Sequence, residues 1–203
     1  MAEPPTRVLV VRHGQSTWNA RGKWQGQADP PLSILGQAQA AAAAIAVGAV
    51  DAIVSSDLVR AHQTAAHIAD AIGRGPVLIE ERLREIDAGE WTGLTRVEIE
   101  QQWPGYLDAH RRPPRFEHWE HVAERAGAAL VELGRRWSGG AAVLAVSHSG
   151  VIRCLERALD VHDRIVPNLG GRWFDVAGSN LVAGERVLLI DPDAVEVTMP
   201  GSL

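Results

Sequence analysis

Four short, unbroken apolar runs punctuate the chain, and three of them stop at polar, reactive residues. Val8-Leu9-Val10-Val11 ends at Arg12-His13-Gly14, and Ala52-Ile53-Val54 ends at Ser55-Ser56-Asp57. Residues 142–146 end at Ser147-His148-Ser149-Gly150, while Val77-Leu78-Ile79 leads into a mixed loop over 83–93. The first, second and fourth runs, without polar alternation, predict buried strands, and the third is a further candidate strand. Between them the spacing changes to that of helices. Ser33 is placed to cap a helix over 34–47, and Leu58, Ala61, Ala65, Ile68 and Ile72 share one helical face. Val122, Ala126, Leu130, Leu133 and Trp137 mark a further amphipathic helix, and another follows Gly150 to about 159. Thr95 begins a short helix to Gln102, and residues 104–115 read as a polar, proline-containing excursion. Strands are also predicted at 173–177 and 187–190. Strand and helix alternate, which predicts an α/β fold around a mainly parallel sheet, with no repeat and no interdomain linker.

Composition narrows the function classes. The 203 residues carry a net charge of -5, against a broad footprint for nucleic acid, although a small basic pocket is compatible with that total. Cys154 is the only cysteine, so no intrachain disulfide forms, and its apolar neighbours predict a buried small side chain rather than a reactive thiol. Met1-Ala2-Glu3-Pro4-Pro5 precedes only a four-residue apolar run, and the alanine-rich stretch over 38–50 is too short to span a bilayer. A cytoplasmic protein with no membrane partner is therefore expected. Lys23 is the only lysine among twenty basic residues, so an arginine counts as functional only where its position supports it.

Position does support several. In open α/β sheets, ligands bind beyond the carboxyl ends of the strands. If the first, second and fourth runs are parallel neighbours, His13, Arg60 and His148 converge on one crevice. A phosphate monoester brings about two negative charges at pH 7 and needs charge-assisted donors to leave water. Arg12 and Arg60 offer planar forks for its oxygens, Asn19 and Gln25 offer neutral donors, and Gly26 admits close backbone approach. The His13 imidazole is a nucleophile able to attack phosphorus, and His148 a donor for charge gathering on the non-bridging oxygens. Glu85, in the loop after the third run, is the candidate for protonating the leaving group. Taken singly, each has an ordinary explanation: a satisfied histidine, an Asp57–Arg60 ion pair at a helix start, a solvated carboxylate. Only their joint placement at strand ends favours chemistry.

The ordered motifs go further. Arg12-His13-Gly14-Gln15-Ser16-Thr17-Trp18-Asn19 resembles the RHG signature of the histidine phosphatase superfamily, also called phosphoglycerate mutase-like. Gln25-Gly26-Gln27-Ala28-Asp29 with Leu32-Ser33-Ile34-Leu35-Gly36, the block from Ser55 through Arg60 to Ala65, Leu83-Arg84-Glu85-Ile86 through Gly93-Leu94, and Ser147-His148-Ser149-Gly150 continue the resemblance in order. It covers about residues 7–155. The resemblance implies a three-layer α/β/α sandwich forming a single domain over 1–203, with a small lid-like excursion around 95–120. It implies that His13 becomes phosphohistidine, that Arg12, Arg60 and His148 complete the phosphate pocket, that Asn19, Gln25 and Gly26 contact phosphate or substrate, and that Glu85 gives and takes the proton. No metal and no cofactor are implied; His118 and His121 with Glu117 form only a weak alternative metal set. The segment over 101–121 is shorter than the insertion of cofactor-dependent mutases, which favours a phosphatase-type branch acting on a small phosphorylated metabolite. Where that branch often shows Gly-Glu-Ser, this chain has Arg115-Phe116-Glu117-His118-Trp119-Glu120-His121. Arg111, Arg112 and Arg115 are candidates for a second anionic group, with an exposed basic loop as the competing explanation. A 2,3-bisphosphoglycerate-dependent phosphoglycerate mutase is the alternative function, and a non-catalytic phosphate-binding protein a third. A homodimer is the default expectation for assembly.

Overall fold

The computed structural model describes residues 3–161 and 164–198. Among these residues six strands form one sheet: β1 (Thr6–Arg12), β2 (Ala52–Ser55), β3 (Leu78–Ile79), β4 (Ala142–Ser147), β5 (Gly170–Ala177) and β6 (Asn180–Leu188). Five α-helices accompany them among the described residues: α1 (Ile34–Val47), α2 (Val59–Ile72), α3 (Arg96–Gln102), α4 (Trp119–Arg136) and α5 (Ser149–Ala158). The spatial order is β3-β2-β4-β1-β5-β6, parallel through the first four strands and antiparallel at β5 and β6. Alternate residues of the apolar runs feed opposite faces. Val8 and Val10 pack with α4 and α5, while Leu9 and Val11 pack with α1 and α2, giving two cores and three layers. A third cluster, of Ala88, Trp91, Ile99 and Leu107, lies beneath the 95–116 segment with Trp24 and Phe116 against it.

Local signals act where they were expected. The Ser33 hydroxyl accepts from Gly36 N–H, and Thr95 with Glu98 closes a reciprocal capping box at the start of α3. The last strand differs from its sequence assignment: β6 begins at Asn180 and ends at Leu188, not over 187–190. Its start is set by a tight return at Gly178 (φ 61°) and by pairing with β5, both invisible to a search for apolar runs. Leu189 and Ile190 are buried beyond the strand, Leu189 N–H donating to Leu169 C=O.

The sheet order positions the site. β4 lies between β2 and β1, with Arg12 opposite Ser147 and Ser55 opposite Val146. Because these three strands are parallel, the residues that follow them, His13, Ser56 and His148, emerge side by side at one edge. Gly14 permits this: a Cβ there would stand 2.5 Å from Gly36 C=O, where the α1 start crosses the loop after β1.

Candidate active site

His13 is 2% exposed and held on three sides. Its Nδ1 lies 2.6 Å from Gly14 C=O, which can only accept, so Nδ1 carries the proton and Nε2 the lone pair. Arg60 Nε donates to that Nε2 at 3.2 Å. Asn168 donates from its side-chain amide to His13 C=O at 2.7 Å, and Asn168 is itself tied to Thr198. The His13 pKa is lowered well below 6.5, first by burial and then by Arg60 and Arg12. The ring is therefore neutral at pH 7, with Nε2 as its nucleophilic atom.

Two buried guanidiniums surround it. Arg12 is anchored at Val166 C=O (3.0 Å), and Arg60 at Ala28 and Gly26 C=O (2.7 and 2.8 Å). Burial pushes both down to about 10, with the Glu85 carboxylate opposing in each case. They remain cationic at pH 7, so two buried positive charges face one half-buried carboxylate, an arrangement favourable to an anion. His148 lies on the other side of His13, ring centroids 5.1 Å apart, and its pKa is also lowered well below 6.5 by burial and then by Arg60. Its Nε2 is 2.7 Å from Ser56 Oγ, while its buried Nδ1 has no hydrogen-bond partner among the described residues.

A cavity of about 90 Å³ opens over this group, lined by Arg12, His13, Asn19, Gln25, Gly26 and Glu85 among others. Arg60 and His148, both fully buried, stand behind its wall. Ser16 uses up the amide oxygens of its neighbours: its N–H donates to Asn19 Oδ1 and its hydroxyl to Gln25 Oε1. Both NH₂ groups are left as the donors available to a ligand. Glu85 is placed by backbone donors, Ile86 N–H at 2.9 Å and Gly150 N–H at 3.3 Å. A Cβ on Gly150 would lie 2.2 Å from Glu85 Oε1, so that position admits only glycine while the carboxylate stays.

All eight residues singled out in the sequence thus meet around His13. Several others were not singled out. Arg125 of α4 donates to Arg82, Arg84 and Glu85 C=O and forks onto Glu117, clamping the loop that carries Glu85. Thr64 accepts from Gly14 N–H at 3.0 Å. Ser56 stood at a recognised strand end, the one available signal; Arg125 and Asn168 reach the site through long-range packing. Asp57 pairs with Arg84 rather than Arg60, because Arg60 turns inward to His13 and Asp29 caps α2 in its place. Arg111 stacks on Tyr106, and Arg112 and Arg115 line a neighbouring cavity rather than the one over His13. Glu117 is held by Arg125, and His118 and His121 face each other at 5.9 Å; among the described residues no group of three or more His, Cys, Asp or Glu is placed to hold a metal ion. Cys154 is buried, its thiol pushed up to about 12 mainly by burial. No described helix is long and apolar enough to cross a membrane.

Comparison with known proteins supplies an independent view. The family model of the histidine phosphatase superfamily (branch 1) matches residues 8–170. A glucosyl-3-phosphoglycerate phosphatase of Mycolicibacterium vanbaalenii is 38% identical, covering 88% of this chain and 87% of its own. A 2,3-bisphosphoglycerate-dependent phosphoglycerate mutase of Methylobacterium radiotolerans is 32% identical, covering 92% and 97%. Among solved structures, a mycobacterial glucosyl-3-phosphoglycerate phosphatase in complex with VO3 superposes with a TM-score of 0.77 at 30% identity, over 91% of this chain and 99% of that one.

Proposed function

The chain belongs to the histidine phosphatase superfamily, and from that premise we propose that it is a metal-independent phosphatase of small phosphate monoesters, working through a phosphohistidine on His13. One observation carries this reading: a neutral, buried imidazole whose unprotonated Nε2 lies among two guanidiniums at the floor of a cavity with a carboxylate on its wall. The phosphoryl oxygens sit on Arg12, Arg60 and the amides of Asn19 and Gln25, beside Gly26. Glu85 takes up a proton as the anionic ester binds; His13 Nε2 then attacks phosphorus as the ester P–O bond breaks, and Glu85 delivers that proton to the departing oxygen. His148 donates to the non-bridging oxygens as their charge rises. Water then gives a proton to Glu85 and attacks phosphorus, the P–N bond breaks, and inorganic phosphate leaves with His13 regenerated. The 95–120 segment acts as a lid over this single domain, and the enzyme works in the cytoplasm as a homodimer.

His13→Ala is the direct test. It should abolish phosphate release from 4-nitrophenyl phosphate and from a panel that includes 3-phosphoglycerate and glucosyl-3-phosphoglycerate. It should also abolish the acid-labile phosphoprotein trapped in the parent; near-normal turnover would sink the mechanism. The mutase alternative draws on the Methylobacterium relative. It requires interconversion of 2- and 3-phosphoglycerate with little net phosphate release, which the same panel detects.

A further inference from the structure

One buried carboxylate takes no part in the chemistry. Glu156 of α5 is fully buried and is flanked by two arginines, one from β5 and one from β6. Arg172 Nε donates to its Oε1 at 2.6 Å, and Arg186 forks onto both oxygens, its Nε 2.7 Å from Oε1. The Arg172 side chain is 13% exposed and that of Arg186 27%, so three charges share a place largely closed to water. Such a triad is a weak source of stability, because the attraction between its charges is set against the loss of their hydration. Apolar side chains of similar volume would join α5 to the sheet as well or better. A use beyond holding the fold together is therefore sought in what the two arginines do with their remaining donors.

They differ there. Arg172 donates to Gly184 C=O, within the hairpin of β5 and β6 itself. Arg186 donates to Arg164 C=O at 2.8 Å and Ile165 C=O at 3.4 Å, in the stretch that leads into β5. The residues that follow hold the site. Val166 C=O accepts from Arg12 Nη1 at 3.0 Å, the only side-chain hydrogen bond that Arg12 makes among the described residues. Asn168 donates to His13 C=O at 2.7 Å, and Leu169 N–H to Arg12 C=O at 3.1 Å. Pro167 stiffens the stretch by fixing its own φ. A fork on the carbonyls of 164 and 165 thus sets where the Val166 carbonyl lies, and with it the plane in which the Arg12 guanidinium meets a phosphoryl group.

We infer that Glu156 and Arg186 are positioning residues for phosphate binding. The Glu156 carboxylate aims the Arg186 fork, Arg186 braces residues 164–166, and the brace fixes Arg12 against the phosphoryl oxygens. Arg172 serves the same carboxylate but not the brace. The inference rests on the phosphatase reading, in which Arg12 is a phosphate ligand.

That difference supplies the control. Arg186→Met and Arg172→Met each take one arginine from the same buried carboxylate, and both should melt earlier than the parent. Calorimetry with inorganic phosphate, well below each melting temperature, then separates the roles. Arg186→Met should bind phosphate about tenfold more weakly, the scale of a lost charge-assisted hydrogen bond, and lose kcat/KM on 4-nitrophenyl phosphate by a similar factor. Arg172→Met should stay within about twofold of the parent in both, as expected of a site that does not couple to the pocket. If Arg186→Met does not fold, the triple variant Glu156→Leu, Arg172→Met, Arg186→Met strands no buried charge, should fold, and should still bind phosphate about tenfold more weakly. Parent-like affinity in Arg186→Met or in the triple variant, or equal weakening in Arg186→Met and Arg172→Met, overturns the brace while phosphate binding by the parent stands. Selective weakening in Arg186→Met, with no phosphate release by the parent, leaves the brace standing and overturns the phosphatase reading instead.

Discussion

Ser56→Ala isolates the contact that decides what His148 can do. With its pKa well below 6.5, His148 is neutral at pH 7 and has one N–H to place. The role proposed for it needs that proton on Nδ1, the nitrogen without a partner. In that tautomer Ser56 Oγ, 2.7 Å from Nε2 and fully buried, supports it by donating its hydroxyl proton to Nε2. Removing the hydroxyl strands Nε2 in a site closed to water, a loss of about 1–3 kcal/mol for an unsatisfied buried group. In a domain of this size each kcal/mol lowers Tm by roughly 2–4 °C. The imidazole is then free to move its proton to Nε2, removing the donor from the phosphoryl oxygens. If half to all of that penalty appears in the transition state, kcat/KM falls about 2- to 140-fold, since each 1.4 kcal/mol is about tenfold. Inhibition by inorganic phosphate should weaken less than kcat/KM, because the donor matters most when charge peaks on the oxygens. The assay is phosphate release at 25 °C, paired with thermal unfolding. A variant that melts earlier but keeps wild-type kcat/KM would make Ser56 purely structural and refute the tautomer argument.

Three further outcomes follow from the same geometry. His13 and His148 bind protons more weakly folded than unfolded, so as pH falls below 6.5 the unfolded chain takes up protons that the native site refuses. Stability should drop by up to about 1.4 kcal/mol per pH unit for each histidine, until pH reaches the depressed native pKa values; urea titrations at pH 7, 6 and 5 measure this, and a flat profile, or ring resonances titrating near 6.5, would contradict it. Arg125→Met releases the carbonyls of Arg82, Arg84 and Glu85 and leaves Glu117 without its fork. It should destabilise the fold by about 2–3 kcal/mol in chemical denaturation, the range of charged hydrogen bonds, and lower kcat by loosening Glu85; unchanged kcat would show that the clamp does not serve the carboxylate. Treatment with a chelator should leave phosphate release intact, and loss reversed by a divalent cation would refute the metal-free mechanism.

Much of the molecule was legible in local patterns because those patterns act locally. The apolar runs located β1, β2, β3 and β4 to within a residue or two, and Ser33 and Thr95 marked helix starts that their side chains do cap. β6 was misplaced because its beginning depends on its partner across the hairpin rather than on its own apolar content. An Asp57–Arg60 pair is plausible from spacing alone, yet the interior claims Arg60 and leaves Asp57 to Arg84.

The sequence by itself determined which reactive residues exist and that they cluster at and after the ends of strands: Arg12 and His13, Arg60, Glu85, His148. These are properties of residue type and short-range periodicity, and they suffice to recognise the family. Only the tertiary structure decided how those groups face one another. Inserting β4 between β2 and β1 brings His148 to both His13 and Ser56, and packing α4 beneath the 82–85 loop brings Arg125 to Glu85. The same packing sets two arginine-bearing segments, 110–119 and α5, on either side of one cavity. Such contacts span tens to more than a hundred residues of chain and depend on strand order and register, which no local pattern encodes.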